Sequence, residues 1–150
     1  PRAEGAPGFE TAALFTSVEE EYAALRGGAG IIDRSARLRM LVGGAQAVET
    51  ITGLVTSDVG ALRAGGGQYA AALTAKGKII ADVRIFARGD DLLLDTPAAA
   101  AAGFSAMIRK YVNPRLARYA DVSAILRTVG VYGPRAHATR RAWRGAAGAP

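Results

Sequence analysis

The stretch Gln68–Phe86, QYAAALTAKGKIIADVRIF, restricts the fold more than any other. Two apolar runs flank a short polar turn. Gln68–Leu73 is small and Ala-rich, whereas Ile79–Phe86 is β-branched and aromatic, and such residues suit a pleated surface. Between them, Thr74–Lys78 contains Gly77, which can supply the positive φ of a hairpin loop. The pattern predicts two antiparallel strands joined by that loop. Alternation puts Ile79, Ala81, Val83 and Ile85 on one face, and Ile80, Asp82, Arg84 and Phe86 on the other. An acid and a base therefore stand two apart on one side of an apolar strand, where the bland reading is an exposed Asp82–Arg84 pair.

The rest of the chain frames this hairpin. Residues 1–8 hold two Pro and two Gly and read as a disordered lead-in. Phe9–Thr16 reads as a short strand. Ser17 and Glu20 form a capping box opening a helix that ends at Gly27-Gly28. Ala29–Asp33 is a brief apolar passage. Arg37–Val42 alternates like a half-buried strand, and Ala45–Val55 has helical spacing through Val48, Ile51 and Val55. The Gly cluster of Ala64–Gly67 lacks the spacing of a phosphate loop and precedes a strand, so it reads as a loop. Arg88–Asp91 reads as a turn and Leu92–Thr96 as a third strand, which predicts an antiparallel meander. Pro97 opens a helix to Val112 with Phe104, Met107, Ile108 and Tyr111 on one face. Arg118–Val122 and Ile125–Tyr132 read as two more strands. A final helix follows Gly133-Pro134, with Trp143 as a candidate anchor and a disordered tail over 145–150. This order is α+β, with helices packed on an antiparallel meander across one domain, 9–144.

Charge and composition narrow the function classes. From Arg109 onward there are nine basic residues and one acid, Asp121, whereas the first 108 residues hold ten basic and twelve acidic groups. A basic carboxyl half opens the reading of a non-enzymatic interaction module, but no nucleic-acid motif accompanies it, so nucleic acid is not an expected partner. There is no Cys and only one histidine, His137. Disulfides, thiol chemistry, His-based metal clusters and serine triads are therefore not expected. No apolar run reaches about 18 residues and no signal peptide is visible, so the expectation is a cytoplasmic chain with no membrane partner.

Four stretches carry a family resemblance: EYAALRGGAGIIDRS at Glu21–Ser35, ITGLVTSDV at Ile51–Val59, the hairpin at Gly67–Phe86, and Asp121–Ala136 ending in VGVYGPRA. In this order they resemble the amino-terminal part of the glycine-cleavage T-protein superfamily. That superfamily includes the aminomethyltransferases and the YgfZ-type folate-binding proteins of iron–sulfur metabolism. LTAKGKIIADVRIF at Leu73–Phe86 looks most like the YgfZ pattern LTPKGRxLADLRxx. The resemblance implies a T-protein/YgfZ-like folate-binding domain, present in part, with tetrahydrofolate as cofactor. In the T protein's GGxxDD sequence, the second Asp contacts the folate near the atoms that receive the one-carbon unit. Asp82 matches that Asp, and Tyr69 matches a tyrosine near the folate. Thr96 falls where the T protein has an Asn after its third strand. The resemblance thus gives Asp82 a catalytic and binding role and makes Tyr69 and Thr96 candidate folate contacts. Ala81 replaces the first Asp, Lys78 the second Gly, and Ala36 the His of a DVSHM stretch. The YgfZ branch also carries a KGCxxGQE motif, which this Cys-free chain does not contain. The implied function is YgfZ-type folate binding in iron–sulfur protein assembly or repair, with client proteins as partners. The alternative is an aminomethyltransferase that takes its one-carbon unit from a lipoylated carrier protein.

Overall fold

The computed structural model describes residues 2–3, 11–12 and 14–147, with side chains from Leu14 to Arg141. Most of the lead-in expected over 1–8, the end of the tail beyond 147, and the Trp143 anchor lie outside these limits. The chain divides into two compact units, Pro1–Ala36 with Arg127–Pro150, and Arg37–Leu126.

In the first unit, strands β1 (Arg2–Ala3) and β2 (Thr11–Ala12) pair antiparallel. Helix α1 (Val18–Gly27) starts on the expected capping box: Glu20 N–H donates to Ser17 Oγ at 3.2 Å, and Ser17 N–H donates to Glu20 Oε2 at 3.4 Å. The apolar passage after it is strand β3 (Gly30–Asp33). Its partner lies far along the chain.

The second unit holds the central sheet, built from β4 (Arg37–Gly43), β5 (Gly67–Leu73), β6 (Ile79–Arg88), β7 (Asp91–Pro97) and β8 (Arg118–Asp121). The spatial order is β5-β6-β7-β4-β8, with every neighbour antiparallel. The predicted meander is present, with Gly77 at φ 75° in its first loop and Gly89 at φ 60° in its second. Helix α2 (Ala47–Thr52) is shorter than its spacing predicts. Gly53 caps it, and Val55 instead bridges Ala72 on β5. Pro97 leads into a 3-10 turn, Ala98–Ala100, and helix α3 (Ala101–Tyr111). This helix packs on β6 and β7 through Phe104, Met107 and Ile108, while Tyr111 is 53% exposed rather than part of the buried face. Ile125 is likewise 78% exposed. Asp121 Oδ1 accepts from Ser123 N–H and turns the chain there. Strand β9 therefore comprises only Val129–Tyr132 and pairs with β3 in the first unit. Helix α4 (Ala136–Ala147) follows it.

One face of the sheet builds the core from Leu38, Met40, Val42, Ala70, Ala72, Ala81, Val83, Ile85, Leu92 and Leu94. Burying these side chains supplies most of the drive to fold, at roughly 25 cal/mol per Å² of apolar surface. The predicted alternation holds along β6 from Ala81 onward but fails at Ile79, which is 73% exposed. The register slips there, from Ala72↔Ala81 to Leu73↔Ile79. Ile80 is the extra residue of this bulge, and it turns toward the core. Nor is β4 half-buried, since Arg39 on its non-core face is only 1% exposed.

Candidate functional site

The sheet's other face carries the charged residues. Strand register aligns Tyr69 with Arg84, Arg84 with Asp95, and Asp95 with Arg39. The row thus crosses β5, β6, β7 and β4. Asp82 lies two residues along β6, opposite Ala71 on β5. Asp82 and Tyr69 are therefore diagonal neighbours on one face, with backbones about 7–8 Å apart. Both side chains are exposed, Tyr69 at 70%.

Asp82 does not pair with Arg84. The Arg84 guanidinium turns to Asp95, donating from Nε at 3.2 Å and Nη2 at 2.9 Å to the same Oδ1. Arg37 Nε donates to that oxygen as well. The Asp95 side chain is 3% exposed, and those of Arg37 and Arg84 are 14% and 19% exposed. A carboxylate this deep is tolerated because two guanidinium groups offset its desolvation. Among the described residues, no hydrogen bond or ion pair reaches the Asp82 carboxylate. It stays available to a ligand.

Thr96 does not share this face. It is fully buried with the core residues, and its Oγ1 donates to the backbone carbonyl of Asp82 at 2.8 Å. Continuing the β6–β7 register would place Pro97 opposite Asp82. Proline has no N–H to give, so the threonine hydroxyl supplies the missing donor. The structure thus brings Tyr69 and Asp82 together and gives Thr96 a supporting place behind Asp82. Sequence reading missed Arg37 and Asp95, because only the register across β4, β6 and β7 joins them to Arg84. An Asp after three leucines at Leu92–Leu94 was the one available signal.

A depression of about 400 Å³ lies beside Tyr69, bordered by Gly65, Gly67, Gln68, Tyr69, Arg84 and Phe86. Asp82 does not border it. Gly67 shapes it, since a Cβ there would meet the Phe86 ring at 2.6 Å. The Arg84 guanidinium carbon lies 5.9 Å from the centre of that ring, within cation–π range. A second groove of about 740 Å³ runs between α3, the Gly53–Thr56 segment and the hairpin loop, away from these residues. Among the described residues, no group of three or more His, Cys, Asp or Glu could hold a metal ion. No helix among them is long and apolar enough to cross a membrane.

Comparison with known proteins agrees with this architecture. The family profile described as the GCVT N-terminal domain matches residues 3–145. The chain belongs to the GCVT N-terminal domain family. An aminomethyltransferase of Nostoc sp. (strain PCC 7120) is 27% identical over 135 residues, covering 86% of this chain and 36% of the relative. An aminomethyltransferase of Bacillus mycoides is 36% identical over 84 residues, covering 56% of this chain and 23% of the relative. The crystal structure of glycine cleavage system aminomethyltransferase T from Bartonella henselae matches with a TM-score of 0.82 at 21% identity. That match covers 95% of this GCVT domain and 39% of the Bartonella chain, and it bears on the fold. The chain therefore spans well under half the length of these relatives.

Proposed function

We propose that this GCVT domain binds tetrahydrofolate on the non-core face of its central sheet. Asp82 would accept hydrogen bonds from the folate near its one-carbon-carrying nitrogens, and Tyr69 would pack against its rings. The observation that carries this reading is the exposed Asp82 carboxylate, without an ion pair among the described residues and diagonal to Tyr69. A base two residues along the same strand face is the natural candidate to pair with it. Here that base, Arg84, is taken by Asp95. A carboxylate left open in this way can stabilise positive charge developing on a ligand nitrogen.

The finer reading is a YgfZ-type protein serving iron–sulfur protein assembly or repair, in which folate is bound rather than turned over. The likeness of Leu73–Phe86 to the YgfZ pattern supports it, as does Ala81 in place of the first Asp. The second reading is aminomethyl transfer, with a one-carbon unit passing from a lipoylated carrier to tetrahydrofolate and ammonia released. The names of the curated relatives favour it. Ammonia release by the full-length parent polypeptide with an aminomethylated carrier would select transfer, and its absence would select binding alone.

Folate binding itself is tested by calorimetric titration of folinic acid into the full-length polypeptide, wild type against Asp82→Asn. A charge-assisted hydrogen bond is worth about 1.5–3 kcal/mol, so the variant should bind about ten- to a hundredfold more weakly. Equal affinities would remove Asp82 from the site. Absence of binding by the wild type would refute the folate reading.

A further inference from the structure

We infer that Arg84 is the anion contact of this face and that Asp95 is its positioning residue. The depression beside Tyr69 then receives the aryl and acidic half of the ligand. This rests on the folate reading above and adds the direction in which the molecule lies.

Arg84 borders the depression together with Tyr69 and Phe86. Its Nε and Nη2 are spent on a single carboxylate oxygen of Asp95, which fixes the plane and direction of the guanidinium. Arginine has five N–H donors in a rigid fork, and the fork remains only partly used. Nη1 makes none of the hydrogen bonds to Asp95. Asp95 also takes Arg37 Nε, so one negative charge is shared between two positive ones. The cluster keeps a net positive charge that a ligand anion can offset. Phe86 backs the guanidinium, and Gly67 leaves room for that ring. Tyr69, the cross-strand partner of Arg84, offers an exposed ring for stacking.

Asp82 and Arg84 are two residues apart on one strand, a separation of about 7 Å. A benzoyl ring with its amide has about that length. A folate with its one-carbon nitrogens at Asp82 therefore extends its p-aminobenzoyl ring past Tyr69. Its amide and glutamate carboxylates then reach Arg84. The reverse direction would carry the carboxylates toward the bulge at Ile80, away from the Arg84 fork.

The test uses two ligands and the full-length polypeptide. Folinic acid carries the benzoyl-glutamate half, and 6-methyltetrahydropterin lacks it. Arg84→Met should weaken folinic acid by about ten- to a hundredfold and leave 6-methyltetrahydropterin unchanged. It should also flatten the salt dependence of folinic acid binding, which a merely structural role would not do. Arg88→Met removes another cation of the same strand, exposed and not bordering the depression, and it should leave both affinities within about twofold. Arg84→Met leaves Asp95 its bond from Arg37 Nε, and circular dichroism of both variants verifies the fold. Unchanged folinic acid binding in Arg84→Met overturns the inference, as does equal weakening of both ligands. Failure of the wild type to bind either ligand refutes the folate reading, and this inference with it.

Discussion

Asp95→Asn removes a charge while keeping the side chain's shape, so it isolates what the shared carboxylate contributes to stability. Asp95 is 2% exposed and accepts from Arg37 Nε and from Arg84 Nε and Nη2. Hydrogen bonds to a charged partner contribute about 1.5–3 kcal/mol, and neutral ones about 0.5–1.5. Neutralising the acceptor therefore costs about 1–1.5 kcal/mol at each arginine. Two largely buried guanidinium groups then lack a counter-charge, which adds to the loss, and their remaining exposure limits that addition. The expected total is about 2–4 kcal/mol, a large share of the roughly 5–15 kcal/mol that holds a domain together. Urea unfolding of the full-length polypeptide, followed by circular dichroism, should show a lower midpoint with the slope unchanged. The difference should persist in about 0.5 M salt, because buried charges are screened far less than exposed ones. A loss below about 0.5 kcal/mol, or one that vanishes in salt, would show that the cluster behaves as a surface pair and would refute the reasoning.

Thr96→Val deletes the hydroxyl that caps the Asp82 carbonyl, and Pro97 cannot replace it; the same unfolding assay should show a loss of about 1–2 kcal/mol, and no change would deny the hydroxyl that role. Glu21 Oε1 accepts from the backbone N–H groups of Phe15 at 2.6 Å and Thr16 at 3.1 Å, and these bonds hold its carboxyl below the ordinary value of 4.5. A lowered carboxyl stabilises the fold above the unfolded value and loses that contribution as pH falls through the folded one. Amide protection at Phe15 and Thr16 should therefore exceed that of a Glu21→Gln variant near neutral pH and converge with it only once pH has fallen through the lowered folded value. Equal protection at neutral pH would contradict this.

What could be read from the sequence follows the range of the interactions. The hairpin, the third strand and the helix after Pro97 announce themselves because their periods and turn residues are local. Ala29–Asp33 shows only an apolar passage, since its partner Val129–Tyr132 lies far along the chain and short strands carry little pattern of their own. The alternation of β6 misplaces Ile79 because a bulge is a property of two strands, not one. The family resemblance singles out Asp82 and Tyr69, but their diagonal placement on one face comes only from the β5–β6 register. The Asp95 cluster was not legible, because Arg37, Arg84 and Asp95 become neighbours only through the register of three strands.

That register also clarifies what Ala81 does. Position 81 faces the core at 2% exposure, opposite Ala72, whereas Asp82 faces the opposite, non-core side. An aspartate at 81 would be a buried charge on the core face and would need a partner there. Alanine at 81 spares that cost and removes nothing from the face that holds Asp82. On the proposed folate reading, Asp82 is then the carboxylate that meets the ligand's one-carbon nitrogens. That carboxylate stays open only while Asp95 holds Arg84 away from it. The shared ion cluster is thus as much a condition of the Asp82 site as Asp82 itself. Loss of Asp95 would free Arg84 to close on Asp82, so Asp95→Asn should weaken folate binding as well as stability.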